Sequence, residues 1–315
     1  MVSKYMKGAS TMMKAVTIKN LDSLTRERVI ELMYETRLII VENENVVPED
    51  ELVQFYYHLG EPVTFDNEYM SDEYVDEWSK GYRELIPVRN QEISGYGPPG
   101  LFSGDEEGEV VWHSEPQNRD THDDLACFAM KSLPTAGGDT EFMDQKVMYD
   151  NLVKLFPELN DYDIDWRNRY AEEEPDNDLP YNPWTKWDEK CVKGGDGWNF
   201  MRMKDIDGKY LIDKEMKFKP LVTENTITGQ RGLMYPYQTV YSLKPKSDFL
   251  LQVLEKECEK EEYRYRHHWK AGDILISDIQ HSLHRRDPYT GDRLIYRSSI
   301  YMPENPNDPR KQYLH

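Results

Sequence analysis

A mainly β fold with flanking helices is what this 315-residue chain predicts. Three observations predict it. Short apolar or alternating segments, bounded by Gly, Pro, Asn and Asp, recur between Val110 and Met302. Helical periodicity is confined to four stretches, two of them near the N-terminus. No linker, internal repeat or low-complexity tract divides the chain. We therefore expect one domain over 1–315, with an insertion at about 160–217 and a lid at about 64–108.

Taken in order, Val29, Ile30 and Met33 recur at helical spacing after Leu24, and Leu38-Ile39-Ile40-Val41 is a short buried-strand run. Pro48 opens a second helix with Leu52, Val53, Phe55 and Tyr56 on its apolar side; Gly60 ends it and Pro62 follows. Residues from about 64 to 108 are polar and rich in Asp, Glu, Tyr, Gly and Pro. That is the composition of long surface loops, which in compact domains often serve as active-site lids. Strands follow in VVWHSE, LACFAMKSL and GGDTEF, then a helix from about Gln145 to Phe156 that Pro157 stops. Residues from about 160 to 217 carry most of the tryptophans, with acidic clusters and Pro/Asn turns. Their aromatic rings either line a pocket wall or pack the insertion itself. Strand patterns resume in KPLVTEN and GLMYPY, with a turn at Thr228-Gly229 between them. Phe249 to Cys258 is helical, and Trp269 to Met302 reads strand, turn, strand.

Composition excludes several classes. Lys plus Arg number 39 against 59 Asp plus Glu, a formal net charge of −20. A surface of that sign repels phosphate backbones and no basic patch offsets it, so no nucleic-acid partner is expected. No run of ~18 apolar residues is present, so no membrane span is expected. The start, MVSKYMKGASTMMKAVTIKN, lacks the apolar stretch of a secretory signal. Cys127, Cys191 and Cys258 are far apart and odd in number, which fits a reducing, cytoplasmic setting better than a disulfide or zinc-ribbon scaffold. Hydrophobic residues at 38% and aromatics at 12% supply a core and argue against disorder.

Four motifs carry chemistry. In Trp112-His113-Ser114-Glu115, strand alternation points His113 and Glu115 the same way, ~6.6 Å apart, close enough to close on one metal ion. A half-buried His beside a surface Glu gives the same tripeptide. The segment Ser277 to His284 follows the apolar strand Ile274-Leu275-Ile276 and offers His281 and His284 as a third ligand. Spacing alone does not choose between them. Two histidines and a carboxylate would form the facial triad of non-haem Fe(II) oxygenases, which leaves adjacent metal positions open. If the segment from Asp292 is a strand, Arg293 and Arg297 share a face ~13 Å apart, and the planar guanidinium fork suits a carboxylate. Gly137-Gly138-Asp139-Thr140 reads as a turn that sets Thr140 at a strand start with its hydroxyl free to donate.

In this order and spacing, TRLIIVENENVVPEDELVQFYYHLGEP, WHSE, LPTAGGDTEF, KPLVTENTITGQRGLMY and WKAGDILISDIQHSLHRRDPYTGDRLIYRSSIYM resemble the taurine/2-oxoglutarate dioxygenase (TauD/TfdA-like) family of Fe(II)- and 2-oxoglutarate-dependent oxygenases. The resemblance runs from about Met13 to Met302. It implies a double-stranded β-helix, a jelly-roll, cupin-like barrel with flanking helices. It implies that His113, Glu115 and His284 ligate Fe(II); His284 stands six residues after Asp278, as in the family, so His281 becomes a neighbour. It implies that Arg293 and Thr140 bind the distal carboxylate of 2-oxoglutarate, and that Arg297 faces an anionic group of the substrate. Three departures stand out. Ile279 replaces a frequent Asn, and Glu115 replaces the Asp of the taurine enzymes, as in amino-acid β-hydroxylases related to clavaminate synthase. The link from His284 to Arg293 is also shorter than in the taurine enzymes.

The activity so implied is hydroxylation of a small polar metabolite, anionic or zwitterionic, of amino acid, sulfonate or phosphonate type. 2-Oxoglutarate and O2 are consumed; succinate and CO2 are released. No catalytic side chain beyond the metal ligands is implied. The retained carboxylate Glu115 speaks against a radical halogenase. Desaturation, epoxidation or demethylation on the same iron centre is the alternative outcome. A non-catalytic jelly-roll metal-binding protein is the alternative class, against which a dicarboxylate clamp argues. The partner is a small molecule, with neither nucleic acid nor membrane, and homo-oligomerisation is left open.

Overall fold

The computed structural model describes residues 13–64, 76, 79–89, 110–114, 123–165, 218–237, 240 and 242–303. The chain opens with β1 (Ala15–Lys19), α1 (Arg26–Glu35), β2 (Leu38–Glu42), α2 (Glu49–Leu59) and β3 (Glu61–Pro62). Thr25 caps α1, its side chain accepting from the Arg28 N–H. Glu49, Asp50 and Glu51 fill the first turn of α2, where negative charge complements the helix dipole.

Next come β4 (Ile86–Arg89), β5 (Val110–His113), β6 (Leu125–Ser132), β7 (Ala136–Gly137), β8 (Thr140–Asp144) and α3 (Gln145–Leu152). Four short strands follow: β9 (Asp163–Asp165), β10 (Phe218–Pro220), β11 (Val222–Glu224) and β12 (Arg231–Leu233). The last part holds β13 (Ser242–Lys244), α4 (Asp248–Cys258), β14 (Arg264–His267), β15 (Ile274–Asp278), β16 (Ser282–Arg286), β17 (Tyr289–Thr290) and β18 (Leu294–Tyr301).

Two sheets dominate the described residues. Seven strands form the larger, in the order β1-β2-β15-β6-β18-β3, with β4 also on β18. Only β1 and β2 run parallel. The smaller is antiparallel, in the order β14-β8-β16-β5. The sheets face each other, as expected for a jelly roll. Leu38, Ile40, Ala126, Phe128, Met130, Leu275 and Ile295 meet Phe142 between them. The rings of Phe128 and Phe142 are 6.2 Å apart, edge to face.

The alternate residues of the large sheet, Ile39, Val41, Cys127, Ile274, Ile276 and Tyr296, lie under α1 and α2 and pack on Val29, Leu32, Leu52 and Tyr56. Both faces are covered, which is why β2 and β15 read as unbroken apolar runs rather than as alternating ones. Each fully buried Leu or Ile is worth roughly 1.5–3 kcal/mol. A third cluster covers the outer face of the small sheet. There Trp112, Met143 and Leu283 pack with α3, α4 and the short strands β9 to β13.

Several elements differ from the sequence expectation. β4 falls inside the stretch read as loop from 64 to 108 and pairs with Leu294–Arg297 of β18, so it belongs to the sheet. The helix expected to reach Phe156 ends at Leu152, and a separate 3-10 turn runs Pro157–Asp161. KPLVTEN is broken at Leu221 into β10 and β11, which belong to different sheets. β9, at the start of the expected insertion, is the central strand of the three-stranded sheet β10-β9-β13. Residues 90–109 and 166–217 lie outside the described residues.

Candidate active site

β5 and β16 place His113 directly opposite His284. Both imidazoles are buried, with ring centres 4.2 Å apart. They share the inner face, because Trp112 and Leu283 beside them point into the outer cluster. Phe128, at 5.0 Å from the His284 ring, and Phe142, at 6.0 Å, wall the other side. Two imidazoles so placed can bind one cation at the ~2.1 Å typical of metal–nitrogen bonds. The donor chemistry thus fits a divalent ion of the non-haem iron kind. Glu115, the third expected ligand, lies outside the described residues. Among the described residues no three His, Cys, Asp or Glu side chains converge.

The turn that carries β16 is held by buried polar contacts. Arg37 pairs with Asp278 at 2.8 Å, both side chains almost fully buried. Asp278 Oδ1 also accepts from Asn225 Nδ2 at 3.1 Å and from the Gln280 N–H at 2.9 Å. Asp124 accepts from the Gln280 side chain and the Met302 N–H. Ile279, where an Asn was expected, packs into the inner core, and Arg37 and Asn225 supply the polar contacts to Asp278.

His281 points elsewhere. Its Nε2 lies 3.0 Å from Thr223 Oγ1 on β11, and its ring presses on Gly232 of β12, where a Cβ would come within 2.6 Å of it. Burial brings its pKa down to about 4, with Arg37 adding to the effect against Asp278.

The opposite end of the inner face is cationic. Arg293 is buried, donates to the Gly138 carbonyl at 3.3 Å and stacks on Tyr289, its Cζ 5.4 Å from the ring centre. Burial and the neighbouring Arg286 bring Arg293 down to about 9. Thr140 opens β8, and its Oγ1 accepts the Trp269 indole N–H at 3.0 Å. Trp269 in turn stands edge-on to His267, 4.7 Å away, and His267 pairs with Asp273 at 3.0 Å.

The two arginines expected on one strand face make different contacts. β18 begins only at Leu294, and its pairing with β6 shifts register between Leu294 and Ile295. Arg293 precedes the strand and reaches the Gly138 carbonyl and the Tyr289 ring. Arg297 stays on the inner face with Ile295 and Ser299, half-buried, and donates to Ser299 Oγ at 3.2 Å.

Sequence reasoning missed Arg286, Tyr289 and Trp269. Arg286 carried a signal, since it lies two residues after His284 and shares its strand face. Trp269 sits in a loop and carried none.

The model of the taurine catabolism dioxygenase TauD, TfdA family matches residues 8–299. The (S)-phenoxypropionate/alpha-ketoglutarate-dioxygenase of Sphingobium herbicidovorans is 26% identical over 199 residues, covering 61% of this chain and 62% of that protein. Pentalenolactone F synthase of Streptomyces arenae is 24% identical over 209 residues, covering 63% of each. The chain thus matches less than two thirds of the length of either relative. Among solved structures, AAD-2 in complex with Mn(II) and N-oxalylglycine shares the fold with a TM-score of 0.62 at 16% identity, covering 94% of this chain and 98% of that one. Facing sheets, opposed histidines and a family match across nearly the whole chain agree, and the chain belongs to the TauD, TfdA dioxygenase family.

Proposed function

We propose that the protein is an Fe(II)- and 2-oxoglutarate-dependent dioxygenase that hydroxylates a small polar metabolite bearing an anionic group. The observation that carries this reading is the buried pair His113 and His284, opposed across β5 and β16 on the face that Thr140 and Arg286 share. His113, Glu115 and His284 hold the cation. Arg293 binds the distal carboxylate of 2-oxoglutarate through parallel N–H donors, and Thr140 adds its hydroxyl. Phe128 and Phe142 exclude water beside His284. Arg297, half-buried on the inner face, meets the anionic group of the substrate.

When bound, the metal with 2-oxoglutarate and O2 supplies oxidising power through decarboxylation to succinate and CO2. The Sphingobium relative acts, by its name, on phenoxypropionate, a carboxylate, which supports an anionic substrate here. A reducing, cytoplasmic setting is part of this reading, supported by two buried free thiols, Cys127 and Cys258. No helix among the described residues is long and apolar enough to cross a membrane.

The test is succinate release from 2-oxoglutarate under air, with and without Fe(II), followed by a metabolite panel scored by mass. Gain of one oxygen supports hydroxylation, and loss of two hydrogens would instead mean desaturation. No iron-dependent succinate with any member of the panel overturns the proposal.

A further inference from the structure

We propose that Arg286 is a second guanidinium of the co-substrate site and binds the distal carboxylate together with Arg293. This rests on the reading of Arg293 and Thr140 as the carboxylate clamp. Along β16 the side chains alternate. Leu283 packs into the outer cluster, and Arg285 stacks on Trp112 and bonds Glu141. Arg286 therefore falls on the inner face with His284. Its register partner on β8 is Thr140, as Phe142 is the partner of His284. The two residues from His284 to Arg286 cover ~6.6 Å, a span that a short dicarboxylate bridges from metal to guanidinium.

Arg286 also shares an aromatic ring with Arg293. Its Cζ lies 4.8 Å from the centre of Tyr289, and that of Arg293 lies at 5.4 Å. Both arginines are buried, 5% and 3% exposed. A carboxylate bound between the two would be attracted to both guanidiniums at short range. A planar carboxylate has about four lone-pair sites, enough for one guanidinium fork, a single N–H from the second guanidinium and a hydroxyl. The buried Tyr289 hydroxyl has no hydrogen-bond partner among the described residues and adds polar capacity to the same corner.

Calorimetry on the full chain loaded with Mn(II) tests the assignment. The two probes are N-oxalylglycine, which carries a distal carboxylate, and oxalate, which chelates the metal without one. Arg286→Gln is expected to weaken N-oxalylglycine at least tenfold while changing oxalate less than twofold, and Arg286→Lys to recover part of the loss. An equal loss for both probes would mean that Arg286 only braces the turn, and unchanged N-oxalylglycine binding would mean no contact. Either result overturns the proposal. If Arg286→Gln does not fold, Arg286→Lys carries the same two-probe comparison, because an ammonium cannot reproduce the fork. Arg293→Gln runs in parallel. If it too binds N-oxalylglycine normally, the clamp reading itself fails, which is distinct from Arg286 failing alone.

Discussion

His281 and His284 are three residues apart and differ in every physical respect that matters to function. His284 faces another imidazole across a strand pair, whereas His281 is sealed against Thr223 and Gly232. His284→Ala should abolish Mn(II) binding in a spectroscopic titration, and His281→Ala should keep it; the reverse would move the ligand assignment. The pKa of His281 is depressed from 6.5 to about 4, so the fold favours its neutral form. Its contribution is complete above about pH 6.5 and is lost as pH falls toward 4, on the order of 3 kcal/mol at the limit. Thermal melts between pH 7.5 and 4.5 should therefore show a flatter acid decline in His281→Gln than in the parent. Trp269→Phe keeps a ring against His267 but removes the donor to Thr140. Losing one hydrogen bond of about 1 kcal/mol should lower the melting temperature by a few degrees, and freeing Thr140 from its position should weaken N-oxalylglycine. Unaltered affinity would show that Thr140 needs no such support.

The small β7–β17 pair shapes the site through backbone alone. Gly137 has φ +73°, and a Cβ there would sit 2.2 Å from the Pro288 carbonyl oxygen. Gly138 has φ +77°, and a Cβ would press on the Arg293 side chain at 3.1 Å. Gly137→Ala should cost about 1–3 kcal/mol, read as a lowered melting temperature, because both the left-handed conformation and the carbonyl resist the methyl group. An unchanged melt would mean that the β7–β17 pair carries no such constraint. The Gly-Gly turn was legible as a turn, but its role in seating Arg293 was not, since Pro288 and Arg293 reach it from 150 residues away in sequence. β2 and β15 were legible because dense apolar runs of that length have few other fates. β14, with the sequence RYRH, was not legible: Arg264 and Arg266 on its outer side mask the period, and only pairing with β8 makes it a strand.

For the whole molecule, the proposed ligands His113 and His284 stand on strands held by ladders and cores that do not involve a cation. β16 bonds β5 and β8, and its outer side is packed by the cluster around Trp112. Chelation should therefore abolish succinate formation and leave the circular dichroism spectrum intact. The melting temperature should fall by only a few degrees, since a ligand at a hundred times its Kd adds about 2.7 kcal/mol. Collapse of the spectrum would make the metal structural instead.

The sequence by itself determined the family and the local faces. Alternation along one strand orients His113, and apolar density marks the strands buried on both sides. These are properties of neighbours in the chain. The tertiary structure decided what depends on pairing between distant segments. It set His113 opposite His284, turned His281 away toward β11 and β12, and brought Arg286 and Arg293 onto one tyrosine. The physical reason is register: a shift of one residue reverses every side chain on a strand, and register is set by which strands meet, which no local pattern encodes.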